Sequence, residues 1–352
     1  MNRKHFTILA VITVILAALA LMPHKADHGG FGTHQRFFPD LEKQLNDVSR
    51  VQVQEAGRKP VTIERDGDQW KVKEAHGYPA DLGVLRHELL HLARLEEVEP
   101  KTRKSAKFQR LGLRSVDDAH SAARVIRVWV GKADKPLSLL AGKSARRGSY
   151  VRREGENQSW LASDTLAPPT DTIRWVDRRV LDVDRARIRE VSVAHSDGTR
   201  VVVRRNSTAK PDFQLIDIPK GRKPKSSFVL NRVAESLAVL SLEDVEPQAT
   251  VHFDKPDLSA TMSTFDGLRV DMDMVKEGEK TYARLHADVE KPVADAAATG
   301  KKSTANPNLK TTAEVQKEVE SLNRRWSGWV YELPAFRVKN LSRTAEDLTE
   351  KD

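Results

Sequence analysis

Six consecutive residues, Leu95-Glu96-Glu97-Val98-Glu99-Pro100, return 147 positions later as Leu242-Glu243-Asp244-Val245-Glu246-Pro247, with five identities and one acidic exchange. Chance rarely gives a match of that quality, so the 352-residue chain is expected to write one structural unit twice. The text upstream agrees. Val48-Ser49-Arg50-Val51-Gln52-Val53 alternates apolar and polar residues like a half-buried strand, and Val61-Thr62-Ile63 follows. An Asp66-Gly67 turn then leads into Gln69-Trp70-Lys71-Val72, which predicts an antiparallel meander. The second copy has Ile188-Arg189-Glu190-Val191-Ser192-Val193, an Asp197-Gly198 turn, Val201-Val202-Val203 and Phe213-Gln214-Leu215-Ile216.

Each meander precedes an amphipathic helix that ends at the repeated hexapeptide: residues 79–95 in the first copy and 231–242 in the second. The later halves match more loosely. Ser149-Tyr150-Val151-Arg152 pairs with Thr281-Tyr282-Ala283-Arg284, and Ile173-Arg174-Trp175-Val176 resembles the stretch from Trp326 to Tyr331. An insert rich in Ala, Lys, Thr and Asn at 292–312 interrupts the second copy and predicts a solvated loop, followed by a short helix at 313–324. Aromatic Trp329 and Tyr331, with Pro334, are expected to pack the last strand onto the core.

The N-terminus carries a different signal. Residues 6–22 form an apolar run of 17, preceded by Arg3, Lys4 and His5 and closed by Pro23. At 1.5 Å per residue the run spans ~26 Å, the short end of a membrane crossing. Positive charge on the short leading side keeps residues 1–5 in the cytoplasm and exports the rest. Ala18-Leu19-Ala20 offers a signal-peptidase alternative to an uncleaved anchor. Residues 23–46, aperiodic and bearing Gly and His, are expected to be a tether. The domain expectation is therefore a cytoplasmic stub (1–5), an anchor or signal (6–22), a tether (23–46) and repeat units at 47–182 and 183–348. The fold class expected is α+β: an N-terminal transmembrane helix, then two repeated units, each a mostly antiparallel β-meander packed with an amphipathic helix.

One motif suggests catalysis. His87-Glu88-Leu89-Leu90-His91 matches H-E-x-x-H on a predicted helix, the spacing that sets two imidazoles on one face for zinc with the Glu polarising water. A third ligand at the extended-motif spacing is missing, since Arg94 and Glu97 stand where Gly and His would be required. Helical phase sets His87 almost opposite the Leu82/Leu85/Leu89/Leu92 stripe and His91 at its flank. The second copy has Ala234 and Ala238 in the histidine positions and Glu235 in the Glu88 position. A solvated face is the expectation, and a zinc hydrolase built on His87, Glu88 and His91 is the alternative.

Other signals are weaker. Gly142-Lys143-Ser144 lacks the first glycine of a phosphate loop, Leu137 standing there, and His195-Ser196-Asp197 is a strand end entering a turn. With no cysteine, disulfides and thiolate chemistry are excluded. The formal charge is +9, and basic residues cluster at Lys101, Arg103, Lys104 and Lys107 and again at Lys220, Arg222, Lys223 and Lys225. Such clusters attract anionic lipid or an acidic polymer, a second alternative. They lack the interleaved aromatics of a nucleic-acid groove, so no nucleic-acid partner is expected.

The Trp70 meander, the Leu-Glu-Glu/Asp-Val-Glu-Pro hexapeptides, the apolar N-terminus and the closing Gly328-Trp329-Val330-Tyr331-Glu332-Leu333-Pro334 together resemble the DUF4340 family over nearly the whole exported body. That family has no established activity. Its members often stand beside auxiliary components of ABC transporters, so the resemblance implies a periplasmic accessory at the inner membrane. No cofactor is implied. The function expected is a membrane-anchored, non-catalytic scaffold, with the membrane as partner through residues 6–22 and an ABC-type transporter or other envelope protein as the second.

Overall fold

The computed structural model describes residues 34–293 and 308–351. The expected stub and apolar segment (1–22) and most of the insert at 292–312 lie outside the described residues. By its internal contacts the chain divides into two units, residues 1–62 with 85–170, and residues 63–84 with 171–352.

The first unit is built on strands β1 (Gln35–Arg36) and β2 (Val48–Glu55), and β3 (Val61–Asp66) carries the chain into the second. There β3 forms an antiparallel hairpin with β4 (Gln69–Val72), and β4 pairs with β5 (Tyr78–Pro79). Gly67 makes the β3–β4 turn at φ +60°, a left-handed conformation glycine adopts without strain. Helix α1 (Leu82–Arg94) is followed by β6 (Glu96–Pro100), the short helix α2 (Phe108–Leu111) and a meander of β7 (Arg124–Val130), β8 (Leu137–Ser144), β9 (Ser149–Arg153) and β10 (Ser159–Ala162). The first unit's sheet runs in the order β1-β6-β10-β9-β8-β7-β2, with every pair antiparallel. Within the segment expected as a tether, β1 pairs with β6, and Phe37, Phe38 and Leu41 are buried.

In the second unit, β11 (Arg179–Asp182) precedes β12 (Ile188–His195), β13 (Arg200–Arg204), β14 (Gln214–Ile216) and β15 (Arg222–Pro224). Helix α3 (Ser227–Ala238) leads into β16 (Val239–Ser241) and β17 (Asp244–Pro247). Next come β18 (Leu258–Thr264), β19 (Leu268–Glu277), β20 (Lys280–Val289), α4 (Thr312–Trp326), β21 (Trp329–Glu332), α5 (Ala335–Leu341) and β22 (Thr349–Lys351). The main sheet runs β17-β21-β20-β19-β18-β12-β13-β14; β11 pairs with β16 and β15 with β22. The six-strand order β6-β10-β9-β8-β7-β2 thus recurs as β17-β21-β20-β19-β18-β12.

The α+β expectation with a transmembrane helix is corrected by this architecture. The described chain is a mostly antiparallel, β-rich fold with few helices, and among the described residues no helix is long and apolar enough to cross a membrane. Strand dominates because the later halves, whose patterning matched only loosely, are themselves long strands: β18, β19 and β20 have 7, 10 and 10 residues. Residues 239–241, expected within the end of a helix, instead form β16, where β-branched Val239 starts a strand against β11. The hexapeptides, also expected to end helices, form β6 and β17. Ile173–Val176 is no counterpart of β21, since residues 172–174 form a 3-10 turn; β10 takes that place. Gly142-Lys143-Ser144 ends β8, and Trp329 and Tyr331 meet Tyr78 edge-on at ring distances of 5.1 and 6.2 Å.

Two arginines organise the second unit's interior. Arg187 donates to Asp266 at 2.7 Å and to Glu318 on α4 at 2.7 Å, and Lys310 reaches Glu318 at 2.8 Å. Burial pushes the Glu318 carboxyl up, but hydrogen bonds from Arg187 and Lys310 outweigh it and hold the group below the usual range. Arg205 donates to the carbonyls of Arg185, Ala186, Ile188 and Lys210, so its buried guanidinium is satisfied by backbone alone. Arg187→Ala leaves buried Asp266 without its counter-charge and is expected to lower stability by about 3–5 kcal/mol in urea unfolding. Because the Glu318 carboxyl is held low in the fold, its contribution is full above the unfolded glutamate value of about 4.3 and is lost as pH falls through the lower folded value. A titration of stability between those values reads it, and Glu318→Gln should flatten the slope.

Candidate functional site

Helix α1 begins where the Asp81 carboxylate accepts hydrogen bonds from the Gly83 and Val84 amides at 2.8 and 3.1 Å, an N-cap. Its apolar face then buries Leu85, Leu89, Leu92 and Ala93, while Leu82, expected in the same stripe, is 56% exposed on the first turn. His87 is exposed, as its helical phase requires, and His91 is half-buried. Glu88 is not on a solvated face: it is 8% exposed. At 100° per residue, position 88 lies about 40° beyond Leu92, at the edge of the buried stripe. Burial pushes the Glu88 carboxyl up, with the nearby His87 and His91 drawing it partly back.

The imidazoles of His87 and His91 lie 6.0 Å apart and line an open groove of about 650 Å³ together with Arg94 and Asp164. His91 Nε2 stands 3.3 Å from Asp164 Oδ2. Among the described residues no three His, Asp or Glu side chains are grouped to hold a metal ion. The H-E-x-x-H spacing therefore brings the two imidazoles to one groove, but supplies no third ligand with them. What the groove offers is a half-buried histidine beside a carboxylate.

The basic cluster after β6 is solvated and partly self-paired. Lys101 Nζ lies 2.7 Å from a Glu99 carboxylate oxygen, and Arg103 donates to Gln158 at 2.7 Å. Lys104 and Lys107 are exposed at a 3-10 turn over Ser105–Lys107.

Sequence reasoning missed the polar sheet faces. In the first unit, Arg127 donates to Gln52 and Gln54 and forms a two-pronged pair with Glu154, and Arg50 lies 3.8 Å over the Trp129 ring. In the second, Ser259 and Thr261 donate to Asp273 and Asp271 at 2.6 Å, and Arg284 reaches Asp273 at 2.9 Å. These carboxylates, with Arg284 and His286, line a groove of about 340 Å³. The signal was present in the strict alternation Arg269-Val270-Asp271-Met272-Asp273-Met274.

Both hexapeptides hold one structural role, a strand paired with the equivalent strand β10 or β21. The chain belongs to the family described as a domain of unknown function, DUF4340, which matches residues 70–261, from β4 to β18. No curated protein and no solved structure matches the chain.

Glu88→Gln is expected to raise stability at pH 7, because a carboxyl held high by burial destabilises the fold once ionised. The two proteins should converge near pH 4, where both side chains are neutral. Chemical unfolding at the two pH values checks this. Equal stability at pH 7 would mean that the histidines fully compensate the buried charge.

Proposed function

We propose that this protein is an exported, non-catalytic accessory or scaffold of the cell envelope that presents two sheets of like strand order to a transporter or other membrane assembly. The observation that carries the reading is the recurrence of the six-strand order, each copy bearing a face of interlinked Arg, Gln, Glu, Asp, Ser and Thr side chains. Such faces are half-solvated and rich in paired charge, the chemistry of a polar, exchangeable protein contact. Export rests on the sequence of residues 6–22 and on the charges before it. Confinement near a membrane would raise the effective concentration of weakly bound partners.

Crosslinking in the native membrane tests this directly. A transporter permease is expected among the copurifying proteins, and recovery of the chain alone in high yield would remove the scaffold reading. The rival zinc hydrolase is separated by metal analysis. The chain purified without chelator should carry far less than one zinc per molecule, unchanged by His87→Ala. Stoichiometric zinc lost with that substitution would replace the scaffold by the hydrolase.

A further inference from the structure

On the second unit, α3 and α5 pack side by side. Arg337 on α5 donates to the Glu235 carbonyl of α3 at 3.3 Å, and Val229 near the start of α3 shares a cavity with Lys339, Ser342 and Arg343. The two helices are therefore antiparallel. The outward residues of this pair combine two features that seldom stand together on a solvated surface. Phe228 and Phe336, on the first turns of α3 and α5, are 64% and 59% exposed, and Ile218 in the β14–β15 connection is 42% exposed. Cations are interleaved with them: Arg232 lies 4.7 Å over the Phe228 ring, and Arg337 lies 5.1 Å over Phe336.

Two cavities adjoin at Lys225. One, of about 460 Å³, is lined by Lys225, Lys339 and Arg343 with a single carboxylate, Asp347. That carboxylate already accepts hydrogen bonds from the Thr344 amide and hydroxyl at 2.9 and 3.1 Å. The other, of about 620 Å³, has Pro211, Leu215, Ile218, Pro224 and Leu230 on its walls. The β15–β22 ribbon fixes Lys225 at their junction: its amide donates to the Leu348 carbonyl at 2.9 Å and its ammonium to the Asp347 carbonyl at 2.8 Å. Arg232 and Lys339 have no carboxylate partner among the described residues.

We propose that this α3–α5 face docks on an anionic lipid surface. Phe228, Phe336 and Ile218 enter the headgroup layer, while Lys225, Arg232, Lys339 and Arg343 meet lipid phosphates. A soluble polyanion would use the cations but gain nothing from two exposed rings, whereas a lipid interface rewards both. The α3 helix is ~18 Å long, enough to lay its two ends against several headgroups at once. This inference needs no protein partner and so stands apart from the scaffold reading.

The test uses the full chain, which has no cysteine, so one introduced thiol carries one environment-sensitive label. The apolar run 6–22 joins any vesicle alike, and the readout is therefore local. A label at Ser227→Cys is expected to shift to the blue on vesicles with about one third phosphatidylglycerol, and not on pure phosphatidylcholine. A label at Lys132→Cys, an exposed turn of the first unit, should not respond. The shift should shrink between about 0.05 and 0.5 M salt. Combined Lys225→Glu, Lys339→Glu and Arg343→Glu should raise the phosphatidylglycerol needed by about tenfold or more. Phe228→Ser with Phe336→Ser should weaken the shift with all cations intact. No response at position 227, an equal response to soluble polyglutamate without lipid, or indifference to the charge reversals would each overturn the proposal.

Discussion

The structure depends on one non-local pairing made twice: the strand that follows the amphipathic helix must meet the last strand of the meander. In the first unit β6 pairs with β10, and in the second β17 pairs with β21. The register matches over the first two pairs, before a shift at Leu161/Ala162 that the second unit lacks. Trp160 stands opposite Pro100, and Trp329 stands opposite Pro247. Proline has no amide to donate, and it is tolerated here because it sits at the strand's end. An aromatic ring is well suited to cover it. Some 60 residues in one unit and 80 in the other separate the paired strands, so this contact carries a loop-closure cost of the same order as the β2–β7 and β12–β18 pairings.

Buried charge is handled in three different ways. Arg187 is matched by two carboxylates and ties α4 to the sheet; Arg205 is matched by backbone carbonyls and pins the entry to β12. Both are desolvated yet fully hydrogen-bonded, the condition under which a buried guanidinium is tolerated. Glu88 differs. It lies in an apolar stripe with only the nearby histidine charges to favour ionisation. The second unit's equivalent, Glu235, escapes that position by pairing with Arg185 at 3.1 Å. The two corresponding glutamates thus have different electrostatic settings, and the unit with the histidines is the one with the high-lying carboxyl.

Polar and charged side chains are spread over the sheet and helix faces among the described residues. The sheet faces carry cross-linked polar side chains that a protein partner can exchange for its own. The α3–α5 face carries exposed rings and cations, the pairing of features proposed above to suit lipid. A scaffold held at an envelope surface would use both, one set toward its partner and the other toward the bilayer. The His87–His91 groove adds a protonatable site without a complete ligand set.

Periodicity is a local property, and what it records survived folding: the alternating strands near Val51, Val191 and Val202, the Asp-Gly turns, and the phase that exposes His87 are all readable along the chain. The hexapeptide announced that its two copies share a role, yet not which role, because a strand and a helix end can carry the same six letters. Its conversion into closing strands, the partnership of Trp160 with Trp329 as equivalents, and the burial of Glu88 were settled only in three dimensions. Each depends on residues far apart in sequence, and the free energy of pairing backbone groups and excluding water is not written in any one segment. The Phe228 and Phe336 exposures have the same origin: they follow from how the two helices and the β15–β22 ribbon pack, which no single segment records.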